Sequence, residues 1–177
     1  MRSLIFAAAL AAVHAHTAEE WKSRSVYQIL TDRFARTDGS TSKCSALNVF
    51  CGGTFKGITN NLDYIQGMGF DAIWISPIPQ NEQPYDYHGY GALNFYSVAQ
   101  EFGGADDLKE MIAACHARDI WVMLDVVANH TSYYAKSDFS NIADLNKAEY
   151  YHSKCDINWN DQYSVEHCWL SGLPDLD

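Results

Sequence analysis

Three apolar runs, each ending in a polar cluster, limit what this chain can fold into more than any other feature. Val26-Tyr27-Gln28-Ile29-Leu30 runs into Thr31-Asp32-Arg33, and Ala72-Ile73-Trp74-Ile75 runs into Ser76-Pro77. Ile120 to Leu124 continues through Asp125-Val126-Val127 into Ala128-Asn129-His130. Nearly unbroken β-branched and aromatic residues suit strands covered on both faces, as in parallel sheets. Helical patterns lie between them. Ile58, Leu62 and Ile65 share one face, which Gly67 and Gly69 bring to an end. From Ala105 to Arg118, Leu108, Met111, Ile112 and Cys115 recur at helical spacing. Asp106 and Asp107 sit in the first turn of that segment and His116 and Arg118 in the last, each at the end its charge prefers. Strand, helix, strand, helix, strand predicts a parallel α/β sheet.

After His130 the character changes. Tyr133 to Asp177 is rich in Tyr, Asn, Asp and Ser and has no clear periodicity. It is expected to be an irregular excursion inserted after the third strand. A closed (β/α)8 barrel takes about 250 residues, whereas this chain has 177 and its third strand is followed by no helix. The fold is therefore expected to be incomplete within these residues.

The cysteines bear on that excursion. There are five: Cys44, Cys51, Cys115, Cys155 and Cys168. Cys115 belongs to the apolar helix face and is expected to be the unpaired thiol, buried and inert. Pairing Cys44 with Cys51 and Cys155 with Cys168 would close two local loops, one arrangement among several that five cysteines permit. Export fits disulfides. Arg2 followed by the alanine-rich stretch Leu4 to Val13 and then Val13-His14-Ala15 has the layout of a secretory leader, with cleavage expected after Ala15. The apolar run is too short to span a bilayer, so no membrane partner is expected. A formal charge of -10 repels phosphate, which argues against nucleic acid and says nothing against a neutral sugar.

Four motifs, in chain order, resemble the α-amylase family. Cys51-Gly52-Gly53-Thr54 with Leu62-Asp63-Tyr64-Ile65-Gln66-Gly67-Met68-Gly69-Phe70 is similar to the first helix region of fungal-type members. Tyr87-His88-Gly89-Tyr90 resembles the substrate loop after strand two, and Asp125 with Val126-Val127-Ala128-Asn129-His130 resembles the strand-three signature. Leu173-Pro174-Asp175-Leu176-Asp177 resembles the motif near the end of the family's inserted second domain. The ordered set runs from about Trp21 to the last residue.

The resemblance implies a partial (β/α)8 barrel holding the first three strands. Residues 1–15 would be the leader, 16–129 the barrel portion, and 130–177 the inserted domain between strand three and helix three. It also implies a secreted, extracellular enzyme, monomeric at full length, that hydrolyses internal α-1,4-glucosidic bonds of starch with retention. Tyr87, His88, Tyr90 and His130 would contact the glucan, Tyr90 stacking on a sugar's apolar face and the histidines donating to its hydroxyls. Asn129, Glu166 (in the family through a main-chain carbonyl) and Asp175 would bind Ca2+, an ion that collects oxygens. A further ligand comes from beyond strand four, so calcium binding by these residues alone is expected to be weak. Asn129-His130-Thr131 is also a glycosylation sequon, expected to stay unmodified if Asn129 coordinates metal.

Asp32 and Asp125 invite reading as the carboxylate pair of a glycosidase. In the family, however, the reacting acids come from later strands and Asp125 matches a supporting residue. No catalytic residue is therefore assigned, and hydrolysis by this chain alone is not expected. Two departures touch substrate contacts: Gly91 stands where fungal-type members carry a stacking Trp, and Asn48 where they carry Gln. The other readings are a truncated, non-catalytic carbohydrate-binding protein and a related cyclodextrin-forming transferase or α-glucosidase. The Asp63-to-Phe70 segment and the Leu-Pro-Asp-Leu-Asp ending lean toward a hydrolase.

Overall fold

The structure is a computed structural model that describes residues 16–82, 84–132 and 138–177. The leader expected over residues 1–15 lies outside the described residues. Among those described, no helix is long and apolar enough to cross a membrane.

The three apolar runs form the strands β1 (Val26–Ile29), β2 (Ala72–Ile75) and β5 (Trp121–Leu124). They pair in parallel in the order β1-β2-β5, with Val26 opposite Ala72 and Ala72 opposite Trp121. This register lines up Tyr27, Ile73 and Val122 on one face, which packs into the main core. The crossover helices supply the other half of that core. Phe55 and Ile58 come from α3 (Phe55–Asn60), Leu62 and Ile65 from α4 (Leu62–Gly67), and Leu108, Met111 and Cys115 from α5 (Gly104–His116). Cys115 is the free thiol, and burial pushes its pKa up to about 11, so it stays a protonated apolar filler. A three-stranded parallel sheet with its crossover helices on one layer is the opening of a (β/α)8 barrel.

Four short segments complete the scaffold: α1 (Ala18–Trp21), α2 (Thr31–Phe34), β3 (Pro79–Asn81) and β4 (Ala92–Val98). The last two form an antiparallel hairpin between β2 and α5, where the sequence reading places no strand. Its register shifts twice within three residues, and β3 begins on a proline. So short and irregular a pairing leaves no alternating pattern to read. The hairpin matters because its loop carries Tyr87 to Tyr90.

The region after His130 is irregular with short helices, of which α6 (Gln162–His167) is the longest among the described residues. It has its own small core of Phe139, Ile142, Tyr151 and Trp169, against which Leu93 of β4 packs. Main-chain bonds from Ser132 to the Ala92 carbonyl and from Ala143 to the Leu93 carbonyl tie it to the hairpin. Disulfides join Cys44 to Cys51 and Cys155 to Cys168, the pairing that closes two local loops.

Candidate functional site

The C-terminal ends of β1, β2 and β5 surround a cavity of about 230 Å3 lined by Gln28, Ile29, Leu30, Ser76, Tyr90 and Asp125. Parallel strands end on the same side of a sheet, so whatever follows each apolar run gathers there. Asp125 directly follows β5, and the hairpin loop after β2 brings Tyr90 to it. The Tyr90 hydroxyl donates to Asp125 Oδ2 at 2.8 Å. Burial and that bond push the phenol up to about 12, so it remains a donor at any ordinary pH.

Two histidines hold the main chain of Tyr90. Its N–H donates to His88 Nδ1 at 3.0 Å, and its carbonyl lies 3.0 Å from His130 Nε2. A carbonyl only accepts, so His130 carries its proton on Nε2. Its Nδ1 is buried and has no hydrogen-bond partner among the described residues. His130 is 7% exposed, and any donation to a ligand from Nε2 would be shared with the Tyr90 carbonyl. His88 is half-buried, and desolvation, followed by the nearby Arg33 charge, lowers its pKa. The Arg33 guanidinium lies 3.8 Å from the ring centre of Tyr87. Tyr87, His88, Tyr90 and His130 thus lie in one patch above the strand ends, beside Asp125.

Arg33 and Asp32 connect that patch to the first disulfide loop. Asp32 is buried, and its carboxylate accepts from the N–H groups of Cys51 and Gly52 and from Arg33 Nε. Arg33 also donates to the Leu47 and Val49 carbonyls. These bonds make Asp32 a structural anchor of the first disulfide loop. Asn48, between those two carbonyls, is exposed.

Asn129 and Asp175 adjoin. The Asn129 carbonyl accepts from Leu176 N–H at 2.8 Å, and His130 and Asp175 form an isolated antiparallel bridge. Asp175 Oδ2 lies 2.8 Å from His152 Nδ1, so one carboxylate oxygen is shared with that ring. The His152 ring also sits 4.5 Å from that of His167, which brings the last turn of α6 alongside. Glu166 is in that turn. Its carboxylate accepts from Gln162 at 2.7 Å on an exposed face. The helix ladder ends where Cys168 donates to Ser164, and Trp169 N–H turns to the Cys155 carbonyl. Last-turn carbonyls, that of Glu166 included, are therefore outside the ladder. Among the described residues, no three His, Cys, Asp or Glu side chains cluster as a metal cage. An amide, a carboxylate and a main-chain carbonyl are nevertheless the oxygen donors a hard cation takes. Asn129 and Asp175 carry donors of that kind, and with the Glu166 carboxylate turned to Gln162 on an exposed face, the main-chain carbonyl is the donor that residue has to offer.

Beside the patch, Asp86 escapes the sequence reading, which takes Gly91 only as a departure that touches substrate contacts. Asp86 is 9% exposed and lies between the loop histidine and Ser132. Gly91 lies against it, and a Cβ there would run into the Asp86 carboxylate. The one hint in the sequence is that the acid is two positions before His88 and the glycine directly follows Tyr90.

Comparison with known proteins agrees in extent with these elements. The family described as the alpha amylase catalytic domain matches residues 28–171. Alpha-amylase 2 of Schizosaccharomyces pombe is 44% identical over 92% of this chain, which spans only 31% of that relative. An alpha-amylase structure from Malbranchea cinnamomea superposes with a TM-score of 0.87 at 44% identity, over 92% of this chain and 37% of that one. That of Geobacillus thermoleovorans, solved with acarbose, gives 0.78 at 39% identity, over 89% and 34%.

Proposed function

This chain belongs to the α-amylase catalytic-domain family, and on that premise we propose that it contributes the opening strands and a sugar-binding edge to a retaining endo-hydrolase of internal α-1,4-glucosidic bonds in starch. The observation that carries the reading is the meeting of Tyr90, His88, His130 and Asp125 at the C-terminal ends of parallel strands. Barrel enzymes work at that end.

The part these residues play is positioning. Tyr90, anchored by its amide, its carbonyl and its hydroxyl, presents an aromatic face to the apolar side of a glucosyl ring. His88 and Tyr87 extend the same surface and offer polar edges to the hydroxyl rim. His130 holds the loop from below. Cleavage with retention requires two carboxyl groups about 5 to 5.5 Å apart. Asp32 is committed to main-chain N–H groups and Asp125 to Tyr90, so neither is assigned to that pair.

Residues 16–129 form the barrel portion in this reading and 130–177 the inserted domain, with Ca2+ between them. Asn129, Asp175 and the main-chain carbonyl of Glu166 would hold the ion. When bound, it supplies cross-linking charge, clamping the inserted segment to the strand end that bears His130. We further propose export of the protein to the extracellular space and action as a monomer on starch and related glucans.

The test uses protein made from the complete natural reading frame. It is expected to shorten soluble starch internally and to bind maltotriose, with Tyr90→Ala weakening binding about tenfold or more for a lost stacking platform. Maltotriose binding without any hydrolysis would support the non-catalytic carbohydrate-binding alternative instead. Cyclic products would point to the transferase. For the metal, a chelator is expected to lower the melting temperature and added Ca2+ to restore it; an unchanged melting curve would remove the ion from this reading.

A further inference from the structure

We propose that Asp86 is a further sugar-recognition residue: its Oδ1 and the Nε2–H of His88 form an acceptor–donor pair that grips one hydroxyl of a bound glucosyl unit. The proposal deepens the glucan reading above and rests on it.

The tautomer of His88 follows from its partner. Tyr90 N–H donates to Nδ1, so Nδ1 presents a lone pair and the proton of the neutral ring is on Nε2. Nε2 lies 3.7 Å from Asp86 Oδ1. That separation is too long for a direct hydrogen bond. It is short enough for one oxygen to sit at ordinary bonding distance from both atoms. A sugar hydroxyl can accept from Nε2–H and donate to the carboxylate at once, and a bond to an ionised acceptor is among the stronger kinds.

Local structure keeps the carboxylate where it is. Asp86 N–H donates to the Glu82 carbonyl, and Ser132 Oγ donates to the second carboxylate oxygen at 3.4 Å. Gly91 N–H is pinned to Asn81 Oδ1 at 3.1 Å, so the main chain opposite cannot withdraw. With no side chain at residue 91, the acid fills the space a Cβ would occupy. The pair is open from the histidine side, with 35% of the His88 side chain exposed against 13% of that of Asp86.

Asp86 faces Glu82 at the end of the hairpin strand, Ser132 from the segment after β5, and His88 on its own loop, with Arg33 beyond the neighbouring Tyr87. Desolvation, with the Glu82 charge adding to it, raises its pKa to about 6. The acceptor form is thus present above that pH and lost below it.

The experiment compares wild type with Asp86→Asn, which keeps the volume, and with Asp86→Ala. Both are made in the complete natural reading frame, and maltotriose and its monodeoxy analogues are titrated at pH 7.5 and pH 5. At pH 7.5 both variants are expected to bind maltotriose roughly tenfold more weakly than wild type, the loss of one charge-assisted bond. The deficit should shrink to about twofold or less at pH 5, where wild-type Asp86 is already protonated. One monodeoxy analogue should bind wild type about as weakly as maltotriose binds the variants, and lose little more on them. Equal binding by Asp86→Asn and wild type at pH 7.5 would overturn the proposal, as would a deficit that ignores pH. A wild type with no affinity for maltotriose would overturn the glucan reading itself, and the inference with it.

Discussion

Tyr90 is held at its amide, its carbonyl and its hydroxyl, by His88, His130 and Asp125 in turn. Its identity and those of its two histidine neighbours are legible in the sequence, because the Tyr-His-Gly-Tyr and Asn-His motifs name them. What each atom does is not legible, since the bonds cross 35 and 40 residues. Tyr90→Phe removes the hydroxyl that donates to Asp125 Oδ2. It is expected to lower kcat/KM on maltooligosaccharides about tenfold, the cost of a partly buried carboxylate left short of a bond. Steady-state kinetics beside a melting curve would separate this from misfolding. Asp86 gives a second prediction, on stability. Its folded pKa is raised to about 6 from an ordinary 3.8, so the native state holds the proton more tightly than the unfolded chain. Wild type therefore loses stability as pH rises through that window, whereas Asp86→Asn cannot ionise. The variant's advantage should grow by roughly 2 to 3 kcal/mol between pH 4 and pH 7. Urea unfolding at the two pH values checks it; a pH-independent difference would contradict the burial argument.

Among the elements, the apolar periodicity found both crossover helices but missed a break. Ile58, Leu62 and Ile65 do share the buried face, yet the helix divides at Asn61 into α3 and α4. The Asn61 side-chain amide donates to the Gly57 carbonyl at 2.8 Å, the local competition by which asparagine interrupts a ladder. The loop after β1 depends on a comparable local contest. The Cys44–Cys51 link closes a short loop, which by chain entropy is worth roughly 2 kcal/mol. Asp32 is buried, pairs with Arg33 and takes two main-chain N–H groups of the same loop, and losing one partner of such a network costs about 3 to 5 kcal/mol. Asp32→Ala is therefore expected to destabilise more than a Cys44→Ser and Cys51→Ser double variant. Chemical denaturation of the two would show the reverse order if the disulfide were the main restraint.

At the scale of the molecule, β1 and β5 are the outer strands of the sheet, and the face away from the helices is only partly covered. Leu124, on the same face of β5 as Val122, is 44% exposed, and Leu30 and Val126, just past strand ends, are 37% and 72% exposed. Unpaired strand edges beside exposed apolar residues promote association. Residues 16–177 produced alone are expected to be poorly soluble or self-associated in size-exclusion chromatography with light scattering. A monomer that melts cooperatively would count against the part-barrel description. The sequence by itself determined the βα alternation, the helix faces, the unpaired Cys115 and the residue types of the loop Tyr87 to Tyr90, because each is encoded in spacing along a few turns or one motif. Tertiary structure alone decided that a hairpin carries the loop, that His130 spends its proton on Tyr90, and that Asp86 fills the space Gly91 leaves. Those outcomes depend on burial and on contacts between distant segments, which no local pattern records.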